Sequence, residues 1–143
     1  MILQQVSVFV ENKAGQLAEV TKLLADNGID LRALNIAEAA DYGVLRLIVS
    51  DPEKASALLQ ASERPVNLTK VVAAAVPDRP GGLNEVLTLL SEENVNVSYM
   101  YSIFGHKNGQ AHMIFRVDDP ERAEKLLTSL GMQTESSEDL GVY

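Results

Sequence analysis

Gly15-Gln16-Leu17-Ala18-Glu19-Val20 returns as Gly81-Gly82-Leu83-Asn84-Glu85-Val86, and this recurrence decides how the chain is read. The same shift of 66 positions aligns Leu23-Leu24 with Leu89-Leu90 and Ile29-Asp30-Leu31 with Val95-Asn96-Val97. Beyond that the shift becomes 68, setting Asp51-Pro52-Glu53-Lys54-Ala55 against Asp119-Pro120-Glu121-Arg122-Ala123. The two added residues fall in the stretch containing His106-Lys107-Asn108-Gly109. Internal repeats take precedence over any finer reading, so the 143 residues divide into two copies of one unit, 1–69 and 70–143.

Working outward from the repeated segment, each copy alternates between a period of two and a period of 3.6. Val6, Val8 and Val10 read as one side of a strand, with Val72, Ala74 and Val76 in the matching places. Leu17, Val20, Leu23 and Leu24 form one helical face, as do Leu83, Val86, Leu89 and Leu90. Asn27-Gly28 and Asn94 stop these helices, because Gly and Asn tolerate the left-handed conformation. Second strands are expected at about 30–37 and 96–103, and third strands at 44–49 and 112–117. Leu45, Leu47, Val49, Met113, Phe115 and Val117 point inward from the third strands. Asp51-Pro52 and Asp119-Pro120 pair a helix cap with a first-turn proline, opening second helices. The stretch 66–76 must close one unit and open the next, most simply as one shared strand. In the second copy the closing strand is expected at 132–137, followed by a polar tail at 138–143.

The expected class is α+β: two tandem ferredoxin-like βαββαβ units, each an antiparallel sheet with helices on one face. A unit of this size buries only ~60% of its unfolded surface and is marginal alone. The outward residues of the third strands, Val44, Arg46, Ile48, His112, Ile114 and Arg116, are half apolar and suit an oligomer contact or a second sheet.

Composition narrows the chemistry. A hydrophobic fraction of 46% with 22% charged residues is ordinary for a globular protein. No apolar run spans a bilayer and the first residues lack a signal-peptide pattern, so a cytoplasmic protein without membrane contact is expected. Twelve basic against 20 acidic residues give a net charge of −8, the wrong sign for nucleic acid. An RNA-binding domain of the same topology would also carry aromatics on its central strands, and the outward positions have none. The absence of cysteine removes thiol catalysis and Cys-based zinc sites. His106 and His112 lack a carboxylate cluster at ligand spacing, and there is no nucleophile–base pair or phosphate loop. No cofactor, metal or enzymatic activity is expected.

The loops Asn12-Lys13-Ala14-Gly15-Gln16-Leu17 and Asp78-Arg79-Pro80-Gly81-Gly82-Leu83 each follow a Val-rich strand. Each leads through a helix to Gly-Ile-Asp-Leu or Asn-Val-Asn-Val. In this context the chain resembles a stand-alone tandem ACT domain protein over nearly its whole length. The resemblance implies a regulatory protein that holds a small amino acid at an interface between units. It also implies a homo-oligomer, dimeric at its simplest, and a partner such as an aryl-CoA ligase or an amino-acid biosynthetic enzyme.

The chemistry of such a site can be stated from the residues. A loop that opens a helix presents unpaired backbone N–H groups at the positive end of the helix dipole, an arrangement that suits a carboxylate. Gly15 and Gly81 either admit a ligand to the backbone or simply make tight turns. Acceptors for an ammonium stand 18 positions apart, as Asn12 with Asp30 and Asp78 with Asn96; these four could equally be helix caps and strand-start residues. The resemblance places Leu17, Leu31, Pro80, Gly82, Leu83 and Val97 beside them. It commonly has Asn at both polar positions, whereas each copy here has one Asn and one Asp in reversed order. Ala14 stands where the family usually has proline. Tyr99-Met100-Tyr101 reads as a pocket wall or as packing. The alternative to a sensor is a structural oligomerisation module with degenerate ligand sites.

Overall fold

The computed structural model describes residues 1–107, 109–132 and 137–142. Its elements are β1 (Ile2–Glu11), α1 (Gln16–Asp26), β2 (Leu31–Glu38), β3 (Tyr42–Val49), α2 (Pro52–Ala61), β4 (Val66–Pro77), α3 (Gly82–Glu92), β5 (Val97–Lys107), β6 (Gln110–Val117) and α4 (Pro120–Ser129). The βαββαβ pattern runs twice, in antiparallel strands, as expected for tandem ferredoxin-like units.

Two compact units emerge. The N-terminal one comprises Gln4–Thr69 with Gly141–Tyr143, and the C-terminal one Met1–Leu3 with Lys70–Leu140. In the N-terminal unit β3 pairs with β1 (Val8↔Leu45) and with β2 (Ile36↔Leu45), leaving β2 at the margin. The Phe9 amide donates to the Pro65 carbonyl at 3.1 Å, at the start of β4. In the C-terminal unit β6 pairs with β4 (Ala74↔Met113) and β5 (Met100↔Phe115). There the Ala73 amide donates to the Met1 carbonyl at 2.8 Å, and the Met1 ammonium donates to the Ala73 carbonyl at 3.2 Å. Exchange of both bonds is the mark of an antiparallel pair.

The expected closing strand at 132–137 falls largely outside the described residues. Met132 lies in no strand, and the place beside β4 in this unit belongs to Met1–Leu3. The stretch 66–76 is one strand, β4, whose two ends serve the two units. The expected polar tail is also corrected: Leu140 and Val142 are buried.

Each core sits between a sheet and its two helices. Val6, Val8, Leu45 and Leu47 meet Val20, Leu24, Ala55 and Leu59 in the N-terminal unit. Val72, Ala74, Phe115 and Val117 meet Val86, Leu90, Ala123 and Leu127 in the C-terminal one. Leu17 was expected on the buried face of α1 but is 41% exposed, lining a surface cavity beside the first loop, whereas its counterpart Leu83 packs on the core of its own unit. Ile48 and Ile114, expected to face outward, are fully buried. Tyr101 is buried and Met100 packs on the core, so these two residues of the run serve packing, while Tyr99 is half-buried.

Helix starts follow the local signals. Asp51 Oδ1 accepts from the Lys54 amide at 3.1 Å and Asp119 Oδ1 from the Arg122 amide at 3.2 Å, each with proline in the first turn. Asp51→Ala and Asp119→Ala are each expected to cost about 1 kcal/mol in a urea titration, the usual worth of such a cap.

Candidate functional site

The two glycine loops share one geometry. Gly15 (φ 89°, ψ −15°) and Gly81 (φ 84°, ψ −8°) cap α1 and α3 in the left-handed region, and no side chain caps either helix. A Cβ at either glycine would meet open space, so the positive φ rather than crowding calls for glycine here. The first intrahelical bonds run from the Glu19 amide to the Gly15 carbonyl and from the Glu85 amide to the Gly81 carbonyl, both 3.0 Å. The amides of Leu17 and Ala18, and of Leu83 and Asn84, precede those bonds and lie in the helical turn that has no internal acceptor.

Gly82 differs from its neighbour. A Cβ there would stand 2.0 Å from the Pro77 carbonyl oxygen, so it is a packing residue where the end of β4 meets the first turn of α3. Pro80 is exposed between them, and Leu83 is half-buried on the core. The Arg79 guanidinium spans this loop to Glu85 at 2.7 Å.

Beside the first loop lies a cavity of about 160 Å³ lined by Val10, Glu11, Asn12, Lys13, Leu17, Ile36, Glu38, Tyr42 and Gly43. Leu17, Ile36 and Tyr42 form its apolar wall and are each more than 40% exposed. Glu11 and Glu38 supply carboxylates. The Lys13 ammonium sits 2.9 Å from Glu11; this hydrogen-bonded pair holds the Glu11 carboxyl below and the Lys13 ammonium above their ordinary pKa values. Ile36, Glu38, Tyr42 and Gly43 are absent from the residues read off the sequence. They lie on the β2–β3 hairpin, closed by Glu38↔Gly43, which reaches the loop through the pairing Glu11↔Tyr42 and through the Asn12 amide, which donates to the Asp41 carbonyl at 3.0 Å.

The strand-start residues lie elsewhere. Asn12 follows Glu11, opposite Tyr42 at one end of β3, whereas Asp30 precedes Leu31, opposite Val49 at the other. An eight-residue strand separates them by roughly 20 Å. Asp78 and Asn96 are parted in the same way by β6, through Pro77↔Gln110 and Val97↔Val117. Within a unit, therefore, the polar pairs expected to grip one ammonium do not meet. The Asp30 carboxylate is held by Arg32 at 2.9 Å, and its amide donates to Ser50 Oγ at 2.9 Å. The Asn96 amide donates to Asp118 Oδ1 at 3.1 Å. Asn96 and Val97 line a more polar cavity of about 390 Å³ with Leu87, Ser91, Asn94, Val95 and Asp118. Leu31 packs on the N-terminal core.

Against this geometry, the family model of the ACT domain pair matches residues 1–141. The chain belongs to the ACT domain pair family. Protein BT0572 from Bacteroides thetaiotaomicron is 42% identical to this ACT domain pair, over 99% of this chain and 96% of that one, with a TM-score of 0.89. The regulatory subunit of aspartate kinase from Thermus thermophilus, in its ligand-free form, is 14% identical over 90% and 96% of the two chains, with a TM-score of 0.65. The corresponding subunit from Thermus flavus is 12% identical over 92% and 94%, with a TM-score of 0.60. At those identities the two Thermus subunits share the fold of this ACT domain pair. No curated protein matches it.

Proposed function

We propose that this ACT domain pair is a non-catalytic regulatory protein that binds a small amino acid and thereby shifts its own assembly or its hold on a metabolic enzyme. One observation carries the reading: the cavity beside the first loop borders on the three features a zwitterion needs. The amides of Leu17 and Ala18 at the start of α1 suit the carboxylate. Asn12, Glu11 and Glu38 suit the ammonium, and Leu17, Ile36 and Tyr42 suit an apolar side chain. Its volume of about 160 Å³ is close to the ~150 Å³ that accommodates a benzene-sized molecule.

The opposite-end placement of Asn12 and Asp30 adds a condition. A site that uses both residue types draws them from two units, and where those units belong to two copies of the chain binding is linked to assembly, since a ligand moves an equilibrium only by favouring one state. The same logic applies to Asp78, Gly81, Gly82 and Asn96. Membership of the ACT domain pair family supports sensing. The partner is an enzyme of amino-acid or aromatic-acid metabolism, such as an amino-acid biosynthetic enzyme or an aryl-CoA ligase, and the setting is cytoplasmic.

A purely structural module is the competing reading, and the bridge from Arg79 to Glu85 across the second loop favours it for that copy. Thermal denaturation with each of the twenty amino acids separates the two. A ligand at ~100 times its dissociation constant adds ~2.7 kcal/mol to stability. Asn12→Ala and Glu38→Gln, both at exposed positions, are expected to abolish that gain while leaving the ligand-free midpoint in place. If the response survives in them but disappears in Asp78→Ala or Asn96→Ala, the second copy holds the ligand. No response to any amino acid sinks the sensor reading.

A further inference from the structure

The N-terminal unit has a second cavity, of about 360 Å³, where the end of β1 and the start of β3 meet the turn that leads from α2 into β4. Its size falls in the ~300–1,000 Å³ range of small-molecule sites. Two aromatic rings stand at it. Phe9 lies opposite Val44 on β3, and Tyr42, two residues along that strand, shares its face. The ring centroids are 5.7 Å apart and tilted by 51°, yet Phe9 and Tyr42 remain 43% and 47% exposed. Tyr42 also lines the cavity beside the first loop, so it stands between the two.

The turn supplies charge of both signs. The Arg64 side chain is only 18% exposed. It donates from Nη1 to Ser62 Oγ at 2.9 Å and from Nη2 to Glu19 Oε2 at 3.0 Å. The rest of its five N–H donors have no partner among the described residues. A largely buried guanidinium with idle donors suits a carboxylate. Glu63, next to it, meets no cation among the described residues and holds a left-handed φ of 64°, a conformation unfavourable to any residue with a side chain.

The duplication provides its own comparison. In the second copy the Gly131 amide donates to the Thr128 carbonyl and the Met132 amide to the Leu127 carbonyl, both at 2.9 Å. The Glu63 and Arg64 amides make the same two bonds, to the Gln60 carbonyl at 2.9 Å and the Leu59 carbonyl at 3.3 Å. The backbone turn is thus kept while the chemistry is not, since Phe9, Tyr42, Glu63 and Arg64 answer to Ala75, Gln110, Gly131 and Met132. Neither the turn nor the strand requires these four side chains, and Glu63 stands where the turn favours glycine.

We infer that this cavity takes a free aromatic amino acid, with its ring against Phe9 and Tyr42, its carboxylate on the idle donors of Arg64 and its ammonium on Glu63. An aromatic acid without an amine would set its charge beside an unpaired carboxylate, and an amine without a carboxylate would leave the guanidinium donors idle. The zwitterion satisfies both. This site is separate from the one proposed beside the first loop and does not rest on it.

Phenylalanine is the probe, titrated calorimetrically into the full chain. Binding is expected, with 3-phenylpropionate, phenethylamine and leucine each weaker by ~10-fold or more, as loss of a charged hydrogen bond or a stacked ring entails. Glu63→Gly gives the turn the residue that its twin carries, so the ligand-free unfolding midpoint is expected to stay or rise while phenylalanine binds ~10-fold more weakly or worse. Phe9→Ala and Arg64→Met, also drawn from the second copy, are expected to weaken binding comparably. Asn12→Ala and Glu38→Gln, at the first-loop cavity, are expected to leave it intact. No binding of phenylalanine, equal binding of 3-phenylpropionate, or an affinity indifferent to Glu63→Gly overturns the proposal. Loss of binding only in Asn12→Ala and Glu38→Gln also overturns it, and places the ligand in the first-loop cavity instead. A thermal response to another amino acid without heat from phenylalanine keeps the sensor and sinks this site.

Discussion

Gly82→Ala is expected to destabilise the C-terminal unit by about 3 kcal/mol or more, at the upper end of what overpacking costs. The added methyl would lie 2.0 Å from the Pro77 carbonyl oxygen, and its neighbour is backbone at the end of a paired strand. Relief requires α3 to withdraw from β4, which opens the contact of Val86 and Leu90 with Val72 and Ala74. Two comparisons isolate the cause. Gly81→Ala meets open space and is limited to the left-handed strain of a non-glycine residue, about 1–2 kcal/mol. Gln16→Ala, at the matching place in the N-terminal unit, is expected to change little, because that loop already accommodates a side chain. Hydrogen exchange read unit by unit distinguishes these outcomes: Gly82→Ala lowers amide protection in β4, β6 and α3. Equal losses for Gly81→Ala and Gly82→Ala would falsify the steric account.

Phe115→Ala is the second large effect, expected at about 3–5 kcal/mol in a urea titration. Phe115 is fully buried, in the C-terminal half of β6, and packs in the core with Val86, Leu90, Ala123 and Leu127. Truncation removes the ring from the middle of a four-sided contact between sheet and helices, and neighbours fixed on four separate elements collapse only partly into the space. Leu47, its counterpart on β3, is equally buried, and Leu47→Ala is expected to cost about 2–5 kcal/mol. Exchange protection is expected to fall chiefly in the C-terminal unit for Phe115→Ala and chiefly in the N-terminal unit for Leu47→Ala. A loss below about 1 kcal/mol for Phe115→Ala would show that this ring is not the keystone of its core.

Much of the fold was legible because its signals are local. The alternation of Val6, Val8 and Val10 announces a strand whatever lies beside it, and Asp51-Pro52 announces a helix start from bonds within one turn. Leu17 shows where this reasoning fails: it obeys the helical period as Leu83 does, yet Leu83 packs on its core and Leu17 lines an open cavity. Ile48 and Ile114 were assigned by alternation to the outer side, whose half-apolar make-up suits cover better than open water, and both are fully buried; alternation alone does not say what covers them. The candidate site was half legible. Both glycine loops follow from sequence, while Ile36, Glu38 and Tyr42 enter only because β3 pairs with β1 and carries the β2–β3 hairpin to the first loop.

By itself the sequence determined that the chain is a duplicated βαββαβ unit of the ACT type, where its helices begin, and that a glycine loop opens the first helix of each copy. It did so because periodicity, capping and turn composition are properties of neighbouring residues. Only the tertiary structure decided that Met1–Leu3 completes the C-terminal unit, that the backbone of Gly82 lies against the Pro77 carbonyl, and that Asn12 and Asp30 stand at opposite ends of a strand. Those facts depend on register and direction in antiparallel pairs, which join residues far apart in the chain and leave no trace in any local pattern.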